Sequence, residues 1–248
     1  MTEIAVLIPC YNEVMTIGDV IQGFQNQIPQ ARIYVYDNNS TDDTKNTAQR
    51  SGAIVKDVPR QGKGHVITAM FRDIDADVYV MVDGDNTYPA EEIHKLLQPV
   101  IQSRVDICIG DRLSNGTYFQ ENKRHFHNFG NLLVRKLING LFGGELKDIM
   151  SGYRVMNKRF VKSFPIRSGG FEVETEMSIF SLNMKFEIDE IPIQYRDRPA
   201  GSFSKLNTFH DGIRVIKTII KIFKDYKPLL FFSLFSVIFS ILGIGLGT

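Results

Sequence analysis

Five short apolar runs, each followed by a polar cluster and most by a helical stretch, constrain this chain more than any other feature. Residues 4–8 stop at Pro9, and residues 33–36 stop at Asp37-Asn38-Asn39-Ser40. Residues 53–55 lead to a Pro-Arg-Gln-Gly-Lys-Gly loop at 59–64, residues 78–82 run straight into Asp83, and residues 105–109 end at Gly110-Asp111-Arg112. Between them, Ile17, Val20, Ile21 and Phe24 share one face of a predicted helix over 16–27. Ser40 or Thr41 can cap the next helix, with Asp42 and Asp43 in its first turn. Further helices are expected up to Asp73 and over 89–103, with Pro89 near the first helical position. Residues 148–154 read as a loop leading back to the sheet, and a helix over 171–184 and a strand over 186–195 follow. This alternation predicts an α/β fold with a mostly parallel sheet flanked by helices. Ligands of such sheets bind beyond the carboxyl ends of the strands. Residues 9–13, Asp37, 60–64, 83–87 and 110–112 are therefore the functional candidates.

A length of 248 residues with 43% apolar content suits one large domain plus an appendage. The net charge of +1 excludes a general polyanion binder, so no nucleic-acid partner is expected. Cys10 and Cys108 lie in apolar strand contexts with no metal-type spacing, which reads as core in a reducing compartment. The first residues lack the basic start of a signal peptide. At the other end, residues 229–248 carry no charge over 20 residues, enough to cross a bilayer core as a helix. Just before them, residues 198–227 hold seven Lys or Arg against two Asp. Arg214, Lys217, Lys221 and Lys224 share a helical face beside an apolar stripe of Ile213, Ile216, Ile220 and Phe223. That is the pattern of a helix lying on a membrane, with anionic lipid as partner and the catalytic domain on the cytoplasmic side. The expected division is a catalytic unit at 1–207, a juxtamembrane helix at 208–227 and a membrane span at 228–248.

Asp83-Gly84-Asp85 carries the clearest chemistry. Two carboxylates at i and i+2, leaving a strand for a loop, can both turn toward a hard cation such as Mg²⁺ or Mn²⁺. An EF-hand is excluded, because Tyr88 stands at its glycine position and His94 at its glutamate position. The 61–64 loop is neither a P-loop nor a dinucleotide fingerprint, since Gly64 and Ile67 replace required residues. Its Lys63 and backbone N–H groups can still meet phosphate. His125 and His127 lie two apart, and no His pair has ligand spacing.

Taken in order, Pro9-Cys-Tyr11-Asn-Glu13, Asp37-Asn-Asn-Ser40, Asp83-Gly-Asp85, Gly110-Asp-Arg112, Asp148-Ile-Met-Ser-Gly-Tyr-Arg154, Phe171-Glu-Val-Glu174 and Arg198-Pro-Ala-Gly-Ser-Phe-Ser204-Lys205 resemble the family 2 inverting glycosyltransferases of GT-A type. Within that family the set is similar to the dolichyl- or polyprenyl-phosphate sugar synthases. The resemblance implies a nucleotide-sugar donor, UDP- favoured over GDP-, and a polyprenyl phosphate acceptor. It implies that Pro9, Tyr11, Glu13 and Asp37 hold the base and ribose, and that Asp83, Asp85 and Thr87 hold the metal. Arg112 and Arg124, with Asn128, would meet the acceptor phosphate, and Asp148 joins Asp85 and these arginines among the catalytic candidates. Lys63, Arg198, Ser204 and Lys205 would meet the diphosphate. A GDP-mannose donor, or a glycan hydroxyl acceptor, is the alternative.

Within the apolar tail, Ser233, Ser236, Ser240, Gly243 and Gly247 form a small-residue stripe of the kind that packs membrane helices together. A homo-oligomer or a partner transmembrane helix is expected there. Changing Ser236 and Gly243 to Leu should weaken self-association of the chain in detergent, and an unchanged mass by analytical ultracentrifugation would remove the expectation.

Overall fold

The structure, a computed structural model, describes residues 2–116, 125–199, 201–202, 205 and 208–247, with the side chains of 125–129, 208–209 and 247 left aside. Its seven strands are β1 (Ile4–Cys10), β2 (Arg32–Asp37), β3 (Ile54–Asp57), β4 (Val78–Met81), β5 (Ile107–Asp111), β6 (Arg154–Asn157) and β7 (Ile188–Pro192). The helices are α1 (Ile17–Gln27), α2 (Thr44–Arg50), α3 (Lys63–Asp73), α4 (Ile93–Ile101), α5 (His125–Phe142), α6 (Lys158–Ser163), α7 (Val173–Asn183), α8 (Thr208–Tyr226) and α9 (Pro228–Gly247). The strands form one sheet in the order β3-β2-β1-β4-β6-β5-β7.

All pairings are parallel except the two that β6 makes, with β4 and with β5. The sequence reads 148–154 as a loop, whereas Arg154 already opens β6, whose four residues carry no apolar alternation to mark a strand. Its direction matters for function. An antiparallel strand begins at the edge where its parallel neighbours end. Arg154 opens β6 opposite Met81 and Ile109, near the carboxyl ends of β4 and β5. The segment 148–153 that precedes it is thereby delivered to the same edge as Asp83.

Both faces of the sheet are covered. On one, Ile17, Ile21 and Phe24 of α1 and Ile93, Leu96 and Leu97 of α4 pack on Val6, Ile8, Val80 and Val155. On the other, Ile67, Met70 and Phe71 of α3, Phe160 of α6 and Met177 and Phe180 of α7 pack on Leu7, Met81, Ile107 and Met156. The strands β1, β4 and β5 therefore read as continuous apolar runs because each is buried on both sides. The first turn of α2 differs from the sequence expectation. The helix begins at Thr44 with Asp43 in the cap position, and Asp42 Oδ1 accepts from the Thr44 N–H at 3.0 Å. Ser40 and Thr41 are instead engaged by Asn12, through 2.9 and 2.7 Å bonds.

A third cluster joins α5, α7 and α8, where Val215, Ile219, Ile222 and Phe223 pack against Val134, Ile138, Phe142 and Ile179. The apolar residues of α8 thus serve two faces, not one stripe. Ile213 and Ile220 are 57% and 52% exposed, among exposed Arg214, Lys217, Lys221 and Lys224. Beyond Lys227, residues Pro228–Leu246 have a mean hydropathy of 2.5 with none of that span buried. Phe231, at its start, packs on Phe223, with ring centroids 5.6 Å apart.

Phe160 is fully buried, with the rings of Phe164, Phe180 and Phe186 between 5.3 and 5.9 Å away. Phe160→Ala should destabilise the fold by about 3–5 kcal/mol. A shift in the denaturant midpoint at unchanged slope would measure it.

Candidate active site

The carboxyl edge of the sheet is shaped by three asparagines in the left-handed backbone region. Asn12 (φ 53°), Asn39 (φ 61°) and Asn86 (φ 58°) follow β1, β2 and β4. Asparagine tolerates this conformation better than most residues, so each strand can end in a tight turn. Asp37 closes β2. Its Oδ2 accepts the Ser40 N–H at 3.0 Å, while its Oδ1 is buried and has no hydrogen-bond partner among the described residues. Beside it, Tyr11 is 37% exposed. Asn38 pins the following loop: its Nδ2 donates to the carbonyls of Val58 and Arg60, both at 2.9 Å. Its Oδ1 accepts from Gly62 N at 2.7 Å and Gln61 Nε2 at 3.2 Å.

The glycines of that loop are explained by a backbone crossing. A Cβ on Gly64 would stand 2.0 Å from the Ser168 carbonyl oxygen, and one on Gly62 would stand 2.2 Å from that of Gly169. Gly64 N donates to Gly169 O at 3.1 Å. Lys63 lies between the two glycines, with its ammonium ion-paired to both Asp83 Oδ1 and Glu174 Oε1. These two carboxylates outweigh the desolvation that would lower the lysine pKa, so its pKa is raised and it is held charged.

Asp83 and Asp85 stand at the centre of the edge. Asp85 is buried, and its Oδ1 accepts from the hydroxyl of Thr87 at 2.7 Å and from its N–H at 3.2 Å. Its Oδ2 meets Arg198 Nη2. Thr87 in this arrangement orients Asp85. A side chain at 152 would bring a Cβ within 2.5 Å of Asp83 Oδ2, and one at 84 within 2.7 Å of Cys10 Sγ. Gly152 and Gly84 therefore leave the acidic pair its room. Glu13 lies alongside, and its carboxylate receives Lys205 Nζ at 2.7 Å and Arg198 Nη1 at 3.4 Å. Burial pushes the Glu13 carboxyl above its ordinary range, opposed by Lys205 and Arg198.

Asp83 and Asp85 offer carboxylate oxygens, the donor set of a hard divalent cation. Among the described residues they are not joined by enough further His, Cys, Asp or Glu to make a group of three. Remaining coordination positions would fall to phosphate oxygens and water, as Mg²⁺ prefers.

A second station lies at the end of β5. Arg112 donates from Nε to Asp148 Oδ2 at 2.7 Å and from Nη2 to Oδ1 at 2.8 Å, and its own N–H reaches Oδ2 at 3.0 Å. The rings of Tyr88 and Tyr195 lie 5.9 and 5.7 Å from the guanidinium. Burial would lower the arginine pKa, and Asp148 more than offsets it, so the group stays charged. Both Asp148 oxygens are taken by Arg112. Its own N–H donates to Glu190 at 2.9 Å. Fully buried Arg154 holds the adjoining turn, donating to the carbonyls of Ser151 at 2.8 Å and Ile149 at 2.6 Å.

The structure therefore brings Glu13, Lys63, Asp83, Asp85, Arg198 and Lys205 into one charged cluster. Pro9, Tyr11 and Asp37 flank it at the ends of β1 and β2, and Arg112 with Asp148 forms a separate buried pair. Arg124 and Ser204 lie outside the described residues, as does the side chain of Asn128. Sequence reasoning gave no role to Asn38, Glu174, Tyr88 or Tyr195. The Glu174 motif was visible, but nothing local says that it faces Lys63.

Residues 5–164 match the sequence profile of Glycosyl transferase family 2, and the chain belongs to that family. It is a glycosyltransferase. Among its relatives, glycosyltransferase AglJ of Haloferax volcanii is 32% identical over 98% of this chain and 79% of its own length. A dolichyl-phosphate hexose transferase of the same organism is 30% identical over 89% of this chain and 93% of its own. The crystal structure of Mycobacterium tuberculosis glucosyl-3-phosphoglycerate synthase with Mn²⁺, UDP and glucosyl-3-phosphoglycerate superposes with a TM-score of 0.72. It covers 89% of this chain and 79% of that one at 22% identity, which establishes the shared GT-A-type fold.

Asp148→Asn should leave Arg112 buried beside a neutral partner. Breaking such a pair costs about 3–5 kcal/mol, so a lowered melting temperature is expected together with reduced transfer. Unchanged melting would show that the pair does not hold this part of the fold.

Proposed function

We propose that the protein transfers a sugar, with inversion, from a uridine diphosphate donor to a polyprenyl phosphate at the membrane surface. The observation that carries the reading is the charged cluster at the sheet edge in a chain that also holds an unburied apolar helix, α9. Family membership and the dolichyl-phosphate hexose transferase among the relatives support it. Residues 1–207 form the catalytic unit in this reading, 208–227 the juxtamembrane helix and 228–248 the span.

The uridine preference rests on the ordered motif set, whose resemblance implies a UDP- over a GDP-sugar donor.

Asp83 and Asp85 would hold Mg²⁺ or Mn²⁺, whose Lewis acidity offsets the charge growing on the departing diphosphate. Thr87 orients Asp85 for that task. Lys63, Arg198 and Lys205 now neutralise Asp83, Asp85 and Glu13, and each can turn its charge to the diphosphate when the donor enters. Arg112, held charged by Asp148, would meet the acceptor phosphate together with Arg124, and Ser204 would meet the diphosphate. A phosphate monoester has its second pKa near about 6, so the acceptor is largely a dianion at neutral pH. It attacks the anomeric carbon without a general base, the glycosidic carbon–oxygen bond to the diphosphate breaks, and the nucleoside diphosphate leaves with that electron pair. The exposed Ile213 and Ile220, with Lys217, Lys221 and Lys224, suit an anionic cytoplasmic leaflet.

Purified full-length chain is incubated with labelled UDP-sugars and GDP-mannose, Mg²⁺ or Mn²⁺, and polyprenyl phosphate. A chloroform-soluble labelled product from a UDP-sugar is expected, and its loss in Asp85→Ala with the fold intact by circular dichroism. Label passing only to a water-soluble glycan would overturn the acceptor, and a product from GDP-mannose alone would overturn the donor.

A further inference from the structure

Lys63 occupies an unfavourable place. It is the first residue of α3, where the helix macrodipole is positive and a cation is disfavoured. It is also nearly buried, with a side chain 11% exposed. Two carboxylates offset both costs. One is Asp83, which belongs to the acidic pair. The other is Glu174, buried in the first turn of α7, which touches neither Asp85 nor Glu13 among the described contacts.

The sequence around Glu174 separates its task from that of its neighbours. Glu172 and Glu176 are four residues apart and share a helix face, whereas Glu174 points away from it. Glu176 accepts the N–H groups of Arg167 and Ser168, and Glu172 accepts that of Gly170. Those two acids hold the 167–170 turn against which Gly62 and Gly64 close. Glu174 is left for Lys63. Its helix is tied to the β6 side as well, because Ser178 Oγ accepts from Arg154 Nη2 at 3.0 Å and donates to the Ile149 carbonyl at 3.0 Å.

We propose that Glu174 is a positioning residue that acts through Lys63. By taking one side of the ammonium, it keeps Lys63 between two carboxylates instead of locked onto Asp83. Asp83 can then give its oxygen to a divalent cation, while Lys63 stays beside it to meet the diphosphate. Without Glu174 the lysine has one carboxylate left and competes with the cation for it. The inference rests on the donor site proposed above.

The test is a double-mutant cycle on the full chain in detergent, with UDP titrated calorimetrically at fixed Mn²⁺. Lys63→Met and Glu174→Gln should each weaken UDP binding at least about tenfold, a loss of roughly 1.4 kcal/mol. The double variant should bind no more weakly than Lys63→Met. The Mn²⁺ concentration giving half-maximal UDP binding should rise in Glu174→Gln and return in the double variant, a rescue that a merely structural role would not produce. Glu174→Asp, which keeps the charge but falls short of Lys63, should behave as Glu174→Gln and stands in for it if that variant melts early. UDP binding unchanged in Glu174→Gln, or losses that multiply in the double variant, would overturn the inference; a glutamate touching only the sugar would give the first result, since UDP carries none. If the unmodified protein takes GDP and refuses UDP, the uridine assignment falls and the same cycle with GDP decides the role of Glu174. If it binds neither, both readings fall.

Discussion

Carboxylates crowded at one edge of a sheet repel each other, and they stay there only if cations are brought between them. Here the cations come from far along the chain. Lys63 stands between Asp83 and Glu174, Arg198 between Asp85 and Glu13, and Lys205 closes on Glu13. Each pair is partly or wholly removed from water, where breaking one partner away leaves an uncompensated charge. The arrangement ties the ends of β1 and β4, the first turns of α3 and α7, Arg198 and Lys205 into one electrostatic unit. A diphosphate with a divalent cation presents the same kinds of charge, so it can exchange partners with this unit without leaving charges bare.

Backbone economy makes the unit possible. Gly62 and Gly64 let the 61–64 loop cross Ser168 and Gly169 at a distance no side chain permits. Gly84 clears Cys10, and Gly152 clears Asp83. Burial of Cys10, with acidic residues nearby, raises its thiol pKa well above the ordinary value, so it serves as packing beneath the acidic pair and not as a nucleophile. The antiparallel β6 is the topological counterpart of these glycines. It brings the 148–153 segment to the carboxyl edge, where Asp148 grips Arg112 and Gly152 lies over Asp83.

The membrane end joins two requirements in one helix. α8 must hold the catalytic unit through Val215, Ile219, Ile222 and Phe223, and still present Ile213, Ile220 and its basic residues outward. A single helical period contained both patterns, and the sequence merged them into one stripe. Hydrophobicity says that a face is covered. It does not say whether protein or lipid covers it.

The sequence by itself determined the α/β class, the strand ends where chemistry gathers, the acidic pair and the apolar tail. These follow from local pattern: continuous apolar runs mark doubly buried strands, and carboxylates at their ends have little structural reason to be there. Family motifs in order added the kind of reaction. Only the tertiary structure decided partners. That Glu174 meets Lys63, that Asp148 spends both oxygens on Arg112, that Thr87 serves Asp85 and that Asn38 anchors the glycine loop all depend on contacts between residues distant in the chain or on loop conformation. Side-chain chemistry fixes what a residue can bind, but chain topology fixes which opposite charge lies within reach.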